Sequence, residues 1–213
     1  FIVLSYEDAA EWTELNNVTV IHNPLPFFPD RQSDGSRKQV IAAGRYVPQK
    51  GFDMLIKAWK IVSEQHPDWT LRIYGDGFRE ELQKLIDGLG ISRSCILEHT
   101  VSNIVDKYCE SSIFALSSRY EGFGMVLVEA MVCGVPPVSF ACPCGPRDII
   151  DDSNDGLLVP KENINKLAEK IGYLISHENI RKEMGQRARI HVERFKIDHI
   201  ASQWKELFNS LIS

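Results

Sequence analysis

From residue 39 onward the chain repeats one pattern: three to five apolar residues, a turn, then a stretch with helical spacing. The apolar runs fall at 39–43, 70–74, 95–98, 113–116, 137–140 and 156–159. They are rich in β-branched residues and lack polar alternation, so each strand is buried on both faces, as in a parallel sheet covered by helices. Between them, Phe52, Leu55, Ile56, Trp59 and Val62 recur on one face and predict a helix over 52–63. Further helices are expected over 78–89, closed by Gly90, over 102–109 with Ser102 as cap, and over 124–133, ended by Gly134. Others follow over 146–150, 163–176, 178–194 and 200–211. The expectation is a doubly wound α/β domain. Ligands of such sheets bind beyond the carboxyl ends of the strands, so the loops there are read first for function.

Ahead of this domain, 1–4 and 18–22 read as short strands and 7–15 as a helix. Pro24, Pro26 and Pro29 then fall within six residues and make 23–29 a connector. A polar stretch over 30–38 marks a boundary. A start in mid-strand at Phe1 reads as a piece of a longer protein. With 24 basic against 29 acidic residues the net charge is −5, which argues against nucleic acid as a partner. The 44% hydrophobic content argues against disorder. No apolar run reaches the roughly 18 residues of a membrane span. The opening apolar run is too short for a signal-peptide core. The five cysteines are odd in number, which points to a reducing compartment and to buried or loop thiols. Cys142 and Cys144 have no second pair with which to hold zinc.

Three strand-following loops carry the chemistry. Residues 44–51 place Arg45 and Lys50 between flanking glycines just before a helix, a fork and a point charge suited to phosphate. Residues 117–130 lead from a strand into a helix that begins near Gly124, whose free N–H groups and dipole favour an anion. Glu121 precedes that helix, and Glu129 lies about 7.5 Å inside it. Two carboxylates thus bracket a phosphate-binding helix end, which suits a nucleotide-sugar. Among Leu127, Val128, Ala130 and Met131, the Glu129 carboxylate is costly unless paired or liganded. In the third loop, 140–150, Arg147 and Asp148 face a ligand or cap a helix, and capping is preferred for Asp148.

These motifs together resemble the retaining glycosyltransferases of family 4, which have the GT-B fold. The matching pieces are Gly44-Arg45 with Gln49-Lys50-Gly51-Phe52-Asp53, then Tyr74-Gly75-Asp76-Gly77, then 118–124 with Glu129-Ala130-Met131. Gly145-Pro146 and 155–159 complete the set. Glu121 and Glu129 stand with seven residues between them, the family's E-x7-E signature. The resemblance covers essentially 18–213 and is similar to capsular and surface-polysaccharide enzymes. It implies that 39–213 is the Rossmann-like C-terminal donor domain with a crossover helix at its end. Residues 1–22 would be the tail of the N-terminal acceptor domain, and 23–38 the interdomain linker. By position, Arg45 and Lys50 would hold the donor diphosphate, and Glu129 the ribose hydroxyls. Glu121, the catalytic candidate, would contact the donor sugar. The backbone of Phe123, Gly124 and Met125 would meet sugar and phosphate, Val126 the ribose-phosphate side, and Val101 the base. The loop after 95–98 departs from the family in carrying His99-Thr100-Val101 where a glycine is usual.

The implied reaction is transfer of a hexose from a nucleotide-sugar, with UDP preferred, to a saccharide or lipid-linked acceptor, with retention of configuration and without cofactor or metal. Polysaccharide or lipopolysaccharide synthesis is the expected setting. The implied location is cytoplasmic, with peripheral contact at the cytoplasmic face of a membrane kept open. A donor domain on its own is expected to bind nucleotide and turn over little or nothing. Two other readings are carried: a sugar-nucleotide 2-epimerase of the same fold, and a non-catalytic nucleotide-sugar-binding module. Residues 75–80 begin like a dinucleotide fingerprint but have Glu80 where the third glycine belongs, which rejects NAD. Residues 151–162 nearly spell a calcium loop, but Pro160 interrupts it. The basic residues Arg181, Lys182, Arg187, Arg189, Arg194 and Lys196 are interleaved with Glu178, Glu183 and Glu193 and are expected on a solvated helix face.

Overall fold

The computed structural model describes residues 1–212. Six strands form one parallel sheet: β3 (Gln39–Ala43), β4 (Thr70–Tyr74), β5 (Cys95–Glu98), β6 (Ile113–Leu116), β7 (Pro137–Phe140) and β8 (Leu157–Val159). Their order is β5-β4-β3-β6-β7-β8, so the winding reverses between β3 and β6. The apolar runs explain the two-sided burial. Along β3, Val40 and Ala42 enter one core with α2 (Phe52–Gln65) and α7 (Ile164–Ser176), while Ile41 and Ala43 enter the other with α5 (Met125–Val132) and α8 (Glu178–His191). Four further helices of this domain among the described residues are α3 (Arg79–Gly88), α4 (Ile104–Cys109), α6 (Pro146–Ile149) and α9 (Ile197–Ile212). This is the doubly wound parallel sheet that the strand pattern predicts. All five cysteines are free thiols.

The N-terminal segment forms its own two-stranded parallel sheet, β1 (Ile2–Val3) beside β2 (Thr19–Val20), with α1 (Tyr6–Glu11) between. The helix expected over 7–15 stops at Glu11. It buries none of its residues, and a helix with no packed face gains too little to extend. Ser102 is not the cap of α4: Asn103 holds that position, and its side chain donates to Asp106 Oδ2 at 2.7 Å instead of accepting a helix N–H. The final helix starts at Ile197, three residues early, with Ile200 as its buried anchor.

The basic residues near the C-terminus are not a uniformly solvated face. Arg181 is 2% exposed and donates to the carbonyls of Gly35, Leu174 and Ile175, with Trp69 beneath its guanidinium. Arg189 donates to Pro29 O at 2.7 Å, and Arg194 to Asp148 O at 2.7 Å. These cations fasten the proline-rich segment and the β7–β8 connection to the helices. Lys182 and Lys196 do form the exposed pairs that interleaving predicts, with Glu178 and Glu193. Among the described residues no helix is long and apolar enough to cross a membrane.

Candidate functional site

Because β3 and β6 are neighbours, the loops that follow them meet at the reversal point of the sheet, where open α/β sheets bind ligands. Hydrogen bonds lock the two loops together. Arg119 N donates to Gln49 O at 2.8 Å, Gln49 Nε2 to Tyr120 O at 3.0 Å, and Ser117 Oγ to Lys50 O at 2.9 Å. The Arg119 guanidinium adds a two-pronged bond to Asp53, 3.0 Å on each arm, and a bond to Pro48 O at 2.5 Å. Burial works to raise the Asp53 carboxyl, but its Arg119 bonds outweigh that and hold it below its ordinary value. Gly51 makes this approach possible. Its φ is +62°, and a Cβ there would lie 2.0 Å from Ser117 O.

The locked loops bring Lys50 and Glu121 into contact. Lys50 Nζ lies 2.7 Å from Glu121 Oε1, which also accepts Ser118 Oγ at 2.6 Å. Their side chains are 14% and 7% exposed, so the pair is largely out of water. Glu129, on α5, accepts the Tyr108 hydroxyl at 3.0 Å. Burial lifts the Glu129 carboxyl above its ordinary value, while the Tyr108 bond and the Lys50 charge pull it back. Lys50 therefore acts on both glutamates. Burial and the facing carboxylate push the Tyr108 hydroxyl well above its usual range, so it remains a donor.

Helix α5 opens at Gly124 with φ +96°, and Leu127 N turns back to Gly124 O at 2.8 Å. The N–H groups of Met125 and Val126 have no acceptor among the described residues, which leaves an anion-favouring helix end beside Lys50 and Glu121. The Phe123 side chain is buried against His22 and Phe195, with ring centroids 5.4 and 5.5 Å away, so only its backbone faces the helix end. Arg45 lies in the same β3 loop but is exposed and makes no ion pair among the described residues. Val101 stands apart, 40% exposed, beyond the edge strand β5.

Asp148 does not cap its own helix, whose N-cap is Gly145. It accepts the N–H of Tyr6 at 2.6 Å and so serves α1. Arg147 pairs with Glu7. Residue spacing had no means of showing Tyr108, whose contact with Glu129 spans 21 positions across two helices. Ser118 sits inside the recognised motif, and a hydroxyl three residues before a carboxylate was the available hint. A polar cavity of about 530 Å³, lined by residues including His22, Arg147, His191 and Arg194, includes none of Lys50, Glu121 and Glu129. Among the described residues no group of three or more His, Cys, Asp or Glu is placed to hold a metal ion.

An uncharacterized glycosyltransferase of Haemophilus influenzae is 30% identical over 96% of this chain and 59% of its own length. The amylovoran biosynthesis glycosyltransferase AmsD of Erwinia amylovora is 32% identical over 98% of the chain and 61% of its own length. Among solved structures, a mutant of Staphylococcus aureus TarM in complex with Fondaparinux, alpha-GlcNAc-glycerol and UDP matches with a TM-score of 0.89. It is 27% identical and covers 98% of this chain and 43% of the TarM chain. The chain thus spans no more than about three fifths of the length of these relatives. The family model for glycosyl transferases group 1 matches residues 26–191, and the chain belongs to that family.

Proposed function

We propose that this chain is the donor-binding part of a retaining family 4 glycosyltransferase of polysaccharide or lipopolysaccharide synthesis, taking a UDP-hexose without cofactor or metal. Residues 39–213 form the donor domain on this reading, and 1–22 belong with an acceptor-binding domain across the linker 23–38. The acceptor is a saccharide or a lipid-linked saccharide. The observation that carries the reading is the Lys50–Glu121–Glu129 cluster at the sheet's reversal point, beside the open N–H groups of α5.

Each group has a task suited to its chemistry. Lys50 and the more exposed Arg45 neutralise the diphosphate, with the N–H groups of Met125 and Val126 beneath it. Among the described residues Glu129 has one side-chain donor, Tyr108, and a carboxylate has about four lone-pair sites, so it retains capacity for two ribose hydroxyls. Glu121 holds the hexose through its hydroxyls. The backbone of Phe123 and Gly124 lines the sugar and phosphate, and Val101 the base. In the reaction the acceptor hydroxyl oxygen bonds to the anomeric carbon on the face from which UDP departs. The carbon–phosphate-oxygen bond breaks with its electron pair on the phosphate, which takes the hydroxyl proton.

Calorimetric titration with UDP, GDP and ADP, in the presence of a chelator, tests this. UDP should bind at micromolar to millimolar Kd, about −4 to −8 kcal/mol, and Lys50→Ala or Glu129→Ala should weaken it. A folded chain that binds none of the three nucleotides would remove the donor reading.

A further inference from the structure

We infer that Glu7 is a positioning residue for the sugar end of the donor site, an inference that rests on the donor-domain reading above. Helix α1 and the loop after β7 hold each other by opposite ends. Glu7 Oε2 accepts the N–H of Cys144 at 2.8 Å, and Glu7 Oε1 accepts Arg147 Nη1 at 2.5 Å. In return Asp148 Oδ2 accepts the N–H of Tyr6 at 2.6 Å. The Glu7–Cys144 bond is a charged acceptor on a backbone donor, the stronger kind. It fixes a residue whose φ of +62° is unusual for a side chain with a Cβ.

The other side of the same loop holds the site. Pro143 O accepts the N–H of Glu121 at 3.0 Å. Gly145, with φ +117°, lies so close to Phe123 that a Cβ would sit 1.7 Å from its carbonyl oxygen. One carboxylate on a segment outside the six-stranded sheet therefore grips the loop that sets the backbone of Glu121 and Phe123. The nucleotide end is held differently. Among the described residues Lys50, Glu129 and Tyr108 make no hydrogen bond to α1 or to the loop 142–146, and Lys50 meets that loop through the Glu121 side chain. Releasing Glu7 should loosen the grip on the hexose and leave the grip on the nucleotide intact.

The experiment is a titration of wild type, Glu7→Ala and Glu7→Gln with UDP and with a panel of UDP-glucose, UDP-galactose and UDP-N-acetylglucosamine. Melting temperature is recorded for each variant. The expected result is that Glu7→Ala keeps its UDP Kd within about twofold while the best UDP-sugar binds at least fivefold more weakly. Glu7→Gln retains an acceptor for Cys144 N–H and should recover most of that loss. An unchanged UDP-sugar to UDP affinity ratio in Glu7→Ala would overturn the proposal. So would a parallel loss of both affinities with a lowered melting temperature, which marks a merely structural role. A wild type that binds no nucleotide would strike the donor reading itself, and this proposal with it.

Discussion

Glu121 and Glu129 stand eight positions apart on one motif, yet the fold treats them in opposite ways. Glu121 is in a loop and is met by a full positive charge, Lys50, together with the Ser118 hydroxyl. Glu129 is inside a helix and is met by a neutral donor, Tyr108, while burial lifts its carboxyl. The first carboxylate is neutralised in place, so a ligand that engages it must exchange with an existing ion pair. The second is held in one orientation with most of its acceptor capacity unspent. Spacing alone makes the two look equivalent. The difference comes from which strands and helices the topology sets beside them.

The largest effect should follow from breaking the ion pair on one side only. Lys50→Ala leaves Glu121 largely buried with a single hydroxyl partner and should cost about 3 kcal/mol of unfolding free energy in urea. Adding Glu121→Gln should recover part of it. A Lys50→Ala chain as stable as wild type would erase the contrast between the two glutamates. Next, Glu129→Ala orphans the buried Tyr108 hydroxyl and should cost about 2 kcal/mol. Tyr108→Phe in the same chain should restore some of this in a double-mutant cycle, and no coupling would remove Tyr108 as the partner. Arg119→Lys replaces the two-pronged bond to Asp53 by a single point charge. At a half-exposed site that should cost about 1 kcal/mol or less and weaken UDP binding only slightly. A loss of binding as large as that of Lys50→Ala would show that the loop lattice, rather than the charge, carries the site.

The smallest effect is in pH dependence. Burial raises the Glu129 carboxyl in the fold, so the folded chain binds that proton more tightly than the unfolded chain. Its stabilising contribution is fully present below the ordinary carboxylate value and is lost as pH rises through the raised folded value. The difference in urea midpoint between wild type and Glu129→Gln should therefore shift against wild type from about pH 4 to 7. A wild type that gains stability relative to Glu129→Gln over that range would contradict the sign.

Much of the architecture was legible because burial leaves a local record. Runs such as Val40-Ile41-Ala42-Ala43 and Ile113-Phe114-Ala115-Leu116 are apolar at every position, and the structure buries both faces of each. Helix ends were less legible, as the early stop of α1 and the absent Ser102 cap show, because ends depend on what each helix packs against. The charge pattern misled at Arg181. Interleaved glutamates suggested solvent, but the side chain is drawn inward by three carbonyls that come from another part of the chain and from the end of α7. Asp148 misled in the same way, since the free N–H that it serves lies 142 positions earlier.

By itself the sequence determined the period of each segment, the parallel two-sided sheet, and the presence of a cationic loop and a carboxylate-bearing loop after strands. Each of these is written in residues close together in the chain, where burial and backbone geometry act locally. Only the tertiary structure decided that Lys50 closes on Glu121 across 71 positions, that Tyr108 feeds Glu129, and that Glu7 grips the loop behind Glu121. Those partnerships follow from setting β3 beside β6 and docking α1 on α6. The reason is physical: a desolvated polar group must take whichever partner the packing brings within about 3 Å, and no local pattern in the chain records which one that will be.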